Sequence, residues 1–124
     1  MQYKLTIPCT LPGLNEYIKA ERTNKHKAAA MKRDTEHMIS FMIRDQLNGI
    51  KLNRPVVMHY TWAEPNRKRD KDNIAFARKF IQDSLVSMKV LPDDGWKYIE
   101  GFTDTFVVDR ENPRVEVVIE VIGG

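Results

Sequence analysis

Pro55-Val56-Val57-Met58-His59-Tyr60-Thr61-Trp62, followed by Ala63-Glu64-Pro65-Asn66-Arg67-Lys68-Arg69-Asp70-Lys71-Asp72-Asn73, is the stretch that decides the fold class. Its first part alternates: Val56, Met58, Tyr60 and Trp62 share one side, and Val57, His59 and Thr61 the other. That period of two marks a strand with one buried face. A polar, highly charged loop comes next. From about Lys71 to Met88 the apolar period lengthens to a helical one, with Ile74, Ala77, Ile81, Leu85 and Met88 on one stripe. A strand feeding a helix in this way predicts helices packed on a sheet.

The flanking sequence extends the pattern. Upstream, Tyr3, Leu5 and Ile7 alternate with Gln2, Lys4 and Thr6 as a strand. Pro8, Pro12 and Gly13 end it and open a basic stretch, read as irregular and mobile, as far as about Lys27. A helix is predicted from about Ala28 to Asn48, with Met31, Met38, Ile39, Met42, Ile43 and Leu47 inward and Gly49 as its stop. Downstream, Pro92-Asp93-Asp94-Gly95 is a turn by composition. The last third reads as a β-hairpin, with Phe102, Phe106 and Val108 in one arm and Val115, Val117, Ile119 and Val121 in the other. Residues 109–113 would connect the arms. The expectation is α+β: one domain over residues 1–124, two helices on a small mixed sheet, in the order β-α-β-α-β-β.

Length and composition bound the function. The chain has 124 residues, of which 30% are charged and 42% apolar, which describes one globular domain. With Cys9 as the one cysteine, an intrachain disulfide and a cysteine zinc cage are excluded. No apolar run approaches the roughly 18–20 residues that cross a bilayer, and the start lacks the pattern of a secretory leader. A cytoplasmic protein without a membrane partner is expected. Charge is uneven: residues 1–62 hold ten basic and five acidic side chains, and residues 63–124 ten and twelve. Between Lys19 and Arg33, the cations Lys19, Arg22, Lys25, Lys27, Lys32 and Arg33 face only Glu21. A polyanion such as nucleic acid suits that cluster; a solvated helix face accounts for it equally.

Asp70 and Asp72 flank Lys71 at a loop-to-helix junction, and Asp93-Asp94 lies in the turn after that helix. Carboxylates are the ligands that Mg²⁺ and Mn²⁺ prefer, and such ions both activate water and neutralise phosphate charge. Each feature has an ordinary alternative: an Asp before a helix serves as an N-cap, and Asp-Asp-Gly is a common turn.

Taken together, Arg67-Lys68-Arg69-Asp70-Lys71-Asp72-Asn73, a helix with Lys79 and Asp83-Ser84-Leu85, and then Asp93-Asp94 resemble the RusA family of Holliday junction resolvases. There a basic run leads into an Asp-x-Asp-Asn motif, a helix with a Lys, and an Asp-Asp pair. Leu11-Pro12-Gly13-Leu14-Asn15-Glu16-Tyr17 is similar to the family's Pro-x-x-Asn start. The resemblance implies a homodimeric, Mg²⁺- or Mn²⁺-dependent endonuclease that nicks four-way DNA junctions symmetrically. It makes Asp70, Asp72 and Asp94 the metal-binding carboxylates. The family's Lys lies four residues after the second motif Asp, where this chain has Phe76. Lys79 takes its place, as if three residues had been inserted; on an unbroken helix it lies about 20° from Asp72 around the axis, against about 40° for the family spacing. DNA contacts are expected from Arg67, Lys68, Arg69, Lys71, Arg22, Lys25, Lys27 and Asn15. Two other readings stay open: a non-catalytic accessory protein that binds branched or single-stranded DNA, and a nuclease acting on flaps or forks.

Overall fold

The alternating run builds the middle of the structure. In the computed structural model, which describes residues 1–123, the elements are β1 (Gln2–Ile7), α1 (Leu14–Thr23), α2 (Lys25–Leu47), β2 (Val56–Glu64), α3 (Lys71–Ala75), α4 (Arg78–Ser87), β3 (Ile99–Val108) and β4 (Arg114–Val121). They form a single α+β domain on a mixed sheet of strand order β1-β4-β2-β3. β4 is antiparallel to both β1 and β2, while β3 is parallel to β2. Register aligns the inward side chains in rows. Ile7, Val115, Trp62 and Phe106 make one row; Leu5, Val117, Tyr60 and Asp104 the next; Tyr3, Ile119, Met58 and Phe102 the third. The first three strands bury their members of these rows beneath the helices, Tyr3 partly; on β3 both Phe102 and Asp104 keep solvent exposure.

Three expectations are corrected. The last third is not a hairpin, because β2 lies between β3 and β4. Alternation reveals which side of a strand is buried but not its neighbour. β4 carries the fully apolar face and takes the interior position, leaving β3 at the edge. The connection crosses the end of β2, where the Asp109 N–H donates to the Glu64 carbonyl at 2.8 Å. Arg114 fastens it, reaching Asp109 and Glu116 at 2.7 Å each.

The basic stretch after Gly13 is ordered as α1. Its short apolar stripe, hidden among charges, buries Ala20 and sets Tyr17 against Phe76 and Phe80, with ring centroids 5.5 and 6.2 Å away. The second helix accordingly starts at Lys25. Asn24 separates the two: its N–H ends α1 on the Ala20 carbonyl, and its side chain accepts the Lys27 N–H at 2.8 Å to cap α2.

The helix expected over Lys71–Met88 is broken at Phe76–Ala77. The N–H groups of Ala77, Lys79 and Phe80 donate to carbonyls three residues back, the tighter winding of a 3₁₀ turn. Ile74, Ala77, Ile81 and Leu85 are nevertheless buried as expected.

One ion pair locks the loop between β2 and α3. Glu64, 7% exposed at the end of β2, receives Arg69 through two parallel bonds of 3.0 and 2.7 Å. The same guanidinium reaches the Leu11 carbonyl at 2.9 Å and Glu16 at 3.2 Å, so it ties the segment before α1 to the sheet. Asn73, also buried, accepts the Asn15 N–H at 2.8 Å. This caps α1 from outside, since Gly13 has no side chain to do so. A Cβ on Gly13 would stand 2.5 Å from that Asn73 oxygen, which is why glycine sits there.

Two predictions follow from these contacts. Arg69→Ala leaves a buried carboxylate unpaired and should cost about 3 kcal/mol or more in urea denaturation; adding Glu64→Leu should recover most of it. Arg114 hydrogen bonds, foremost, hold the Asp109 and Glu116 carboxyls below their ordinary values. A depressed folded-state pKa contributes stability above the unfolded value that is lost as pH falls through the folded one. Amide exchange over 109–116 should therefore rise on acidification below the usual carboxylate range, and not between pH 6 and about 8.

Candidate functional site

The carboxyl ends of β2 and β3 lie side by side, and the chain leaves β2 there to enter α3. A cleft of about 870 Å³ opens at this point, lined by Glu64, Asn66, Arg67, Arg69, Asp70, Lys71, Asp72, Ile74 and Phe106–Val108. The structure thus brings together Asp70 and Asp72 with three of the predicted DNA-contacting cations.

Asp70 occupies the N-cap position of α3, yet its side chain makes no cap hydrogen bond. Asp72 accepts only the adjoining Asn73 N–H, at 3.0 Å. Both are exposed, and among the described residues neither carboxylate forms an ion pair, although Arg67, Lys68, Arg69 and Lys71 surround them in sequence. Ordinary capping does not account for Asp70. Two hard oxygen donors on one cleft wall suit a divalent cation.

Asp94 stands elsewhere. It does not line this cleft, and no group of three metal-binding side chains is gathered among the described residues. Burial, foremost, strongly raises the pKa of Tyr60; the Gln82 hydrogen bond and the Arg78 charge oppose it, and the charges of Asp104 and Asp94 push the same way as burial. Tyr60 is held by a 2.9 Å bond from Gln82. Trp96, two residues past Asp94, is fully exposed.

Lys79 is 61% exposed and pairs with Asp83 at 3.2 Å. Asp83 also holds Lys32 of α2 at 3.3 Å. The tightened turn alters the helical-wheel relation: with roughly 20° added at each of about three residues, Lys79 falls about 40° to one side of Asp72 and Arg78 about 60° to the other. Contacts agree with that division. Lys79 lies toward α2, whereas Arg78 lies toward β3, paired with Asp104 and stacked 4.1 Å from the Phe102 ring centroid.

The predicted DNA contacts separate as well. Arg67 and Lys68 are exposed and without a carboxylate partner among the described residues, and Lys71 lies 5.6 Å from the Phe106 ring centroid. Arg69 is committed to the Glu64 clamp. Asn15 and Arg22 line a shallow groove on α1 with Ile18, Lys19 and Thr23, and Lys25 and Lys27 are exposed where α2 begins. Sequence reasoning missed Arg78, Phe102 and Phe106 as surface features. Their signal, aromatics on a strand that proves to be an edge, depends on strand order.

Comparison with protein-family models gives no match, and no curated protein matches the sequence. No described helix is long and apolar enough to cross a membrane.

The unused N-cap gives a direct check. Asp70→Ala should change stability by no more than about 0.5 kcal/mol, where removal of a working Asp cap costs about 1 kcal/mol. Urea denaturation without divalent ions distinguishes the two.

Proposed function

We propose that the chain is a metal-dependent, structure-selective endonuclease that resolves four-way DNA junctions by paired symmetric nicking in recombination and repair, as the RusA family it resembles does. The observation that carries this reading is the pair Asp70 and Asp72. Both carboxylates line one cleft without an ion pair among the described residues, although cations flank them in sequence. Two such oxygen donors in one cleft suit a divalent cation.

Asp70 and Asp72 would hold Mg²⁺, or Mn²⁺ in its place; the family resemblance makes Asp94 the third carboxylate, and it stands outside this cleft. The ion supplies Lewis acidity and charge neutralisation at the phosphate. The chain's own residues do the rest. Arg67, Lys68 and Lys71 bring a backbone phosphate to the cleft, and the Asn15–Arg22 groove with Lys25 and Lys27 extends the track, all without reading sequence. The family resemblance makes Lys79, which Asp83 holds outside the cleft lining, the donor to the phosphoryl oxygens as negative charge builds. A two-fold homodimer matches the symmetry of a junction and provides two cuts. The accessory-protein reading leaves two carboxylates facing phosphate with no purpose, so it stands second.

Cleavage of a labelled mobile four-way junction, beside duplex, flap and fork controls, tests the proposal. Paired nicks that require Mg²⁺ or Mn²⁺ are expected, with Asp70→Asn and Asp72→Asn each slowing them about 100-fold or more. Lys79→Ala should lose a comparable factor; full activity in that variant would transfer the role to Lys71 on the cleft wall. Metal-independent junction binding with no nicks would favour the accessory protein, and nicking confined to flaps or forks would change the substrate. A monomeric mass in solution would count against paired cutting.

A further inference from the structure

β3 is the outermost strand, and the helices stop short of it. Its inward row therefore emerges from under the helical layer carrying Phe102, Asp104 and Phe106. Phe102 is 48% exposed and Phe106 half-buried, lining the cleft that holds Asp70 and Asp72. Edge strands ordinarily carry charged side chains and avoid large apolar ones. Here each ring is accompanied by a cation borrowed from the crossover: Arg78 at 4.1 Å from the Phe102 centroid and Lys71 at 5.6 Å from that of Phe106. The carboxylate between them is already spent, since Asp104 accepts the Trp62 indole N–H at 2.8 Å and pairs with Arg78.

We infer that this strip is a stacking platform for unpaired bases of the nucleic-acid strand that enters the cleft. Two rings four residues apart on a strand are separated by about 13 Å. Bases offer a π face whatever their sequence, and a ring with a neighbouring cation suits a ligand that alternates bases with phosphates. A protein partner fits less well at Phe106, because lysine is depleted from protein interfaces and Lys71 accompanies that ring. Phe106 makes it continuous with the carboxylate cleft, so a strand stacked on β3 has its backbone led toward Asp70 and Asp72. The substrate class is thereby narrowed from branched duplex in general to branched DNA with opened, unstacked nucleotides at the branch point. The inference rests on the nuclease reading for the identity of the strand but not for the stacking itself.

The test is equilibrium binding by the full-length protein in EDTA, so that no cutting occurs. The probes are a short single strand with one 2-aminopurine and the same strand with abasic sites flanking it. The expected result is a change in 2-aminopurine emission on binding and weaker binding of the abasic strand. Phe102→Leu and Phe106→Leu, which keep apolar volume but remove the ring, should each weaken binding of the base-bearing strand about tenfold. Both should leave the abasic strand and the salt dependence unchanged. Equal affinity for the two probes would overturn the inference, because phosphates alone would then explain binding. A fall in solution mass in Phe102→Leu would also overturn it, assigning the strip to a second copy of the chain. Base-dependent binding by a protein that nicks no junction would overturn the nuclease reading and leave this one standing; junction nicking with no base dependence would do the reverse.

Discussion

A carboxylate buried at the end of a central strand has to be neutralised, and the way this chain neutralises Glu64 organises everything around its site. Arg69 lies five residues downstream, so satisfying Glu64 forces the loop to fold back over the end of β2. Both oxygens of Glu64 are occupied by the fork of the guanidinium, the geometry that makes Arg–carboxylate pairs directional. The remaining donor capacity draws in the Leu11 carbonyl and Glu16, which brings the start of α1 to the same place. Asp70 is the next residue along. Its position on the cleft wall is therefore a consequence of the clamp.

The clamp also divides a basic run that looks uniform in sequence. Arg67 and Lys68 remain available to an outside anion, whereas Arg69 is spent inside the fold. The carboxylates divide in the same way. Glu16, Glu36, Glu64, Asp83, Asp104, Asp109 and Glu116 each have a cationic partner within the domain. Asp70 and Asp72 have none among the described residues, despite having more cationic neighbours in sequence than most. Glu21, Asp45, Asp93, Asp94, Glu100 and Glu111 also lack one; what distinguishes Asp70 and Asp72 is that both line the cleft.

How much of this was legible beforehand depended on what kind of information each feature needs. Inward faces were readable: Val56, Met58, Tyr60, Trp62, Val115, Val117 and Ile119 are all buried, and so are Ile39, Ile43 and Leu47 of α2, because burial periodicity is local. The α1 helix was missed because Pro12 and Gly13 read as loop signals and Glu16, Lys19, Glu21 and Arg22 leave a stripe of few apolar positions. The helix break was missed because Phe76 and Ala77 are compatible with a helix, and the tightening serves tertiary contacts of Phe76 with Tyr17 and Phe80. Within the site, Asp70 and Asp72 were found by spacing. The structural duty of Asn73 was not, since its partner Asn15 is 58 residues away. The place of Arg78 beside β3 was not legible either, since it depends on the tightened turn and on strand order.

The misread hairpin and the site have a common cause. With β4 drawn between β1 and β2, β3 joins the sheet at the far edge of β2, running parallel to it, and parallel neighbours require a crossover. Here α3 and α4 are that crossover. Parallel pairing then places the carboxyl ends of β2 and β3 together, at Glu64 and Val108, and open sheets bind ligands in crevices at such ends. A hairpin of β3 and β4 would have put opposite ends together and left Asp70 and Asp72 with no facing wall. The same arrangement leaves the β3 row beyond the cover of the helices, which is why aromatic side chains stand exposed beside the carboxylates. Strand order, fixed by which strand has the most apolar face, thus determines both the cleft and the surface leading into it.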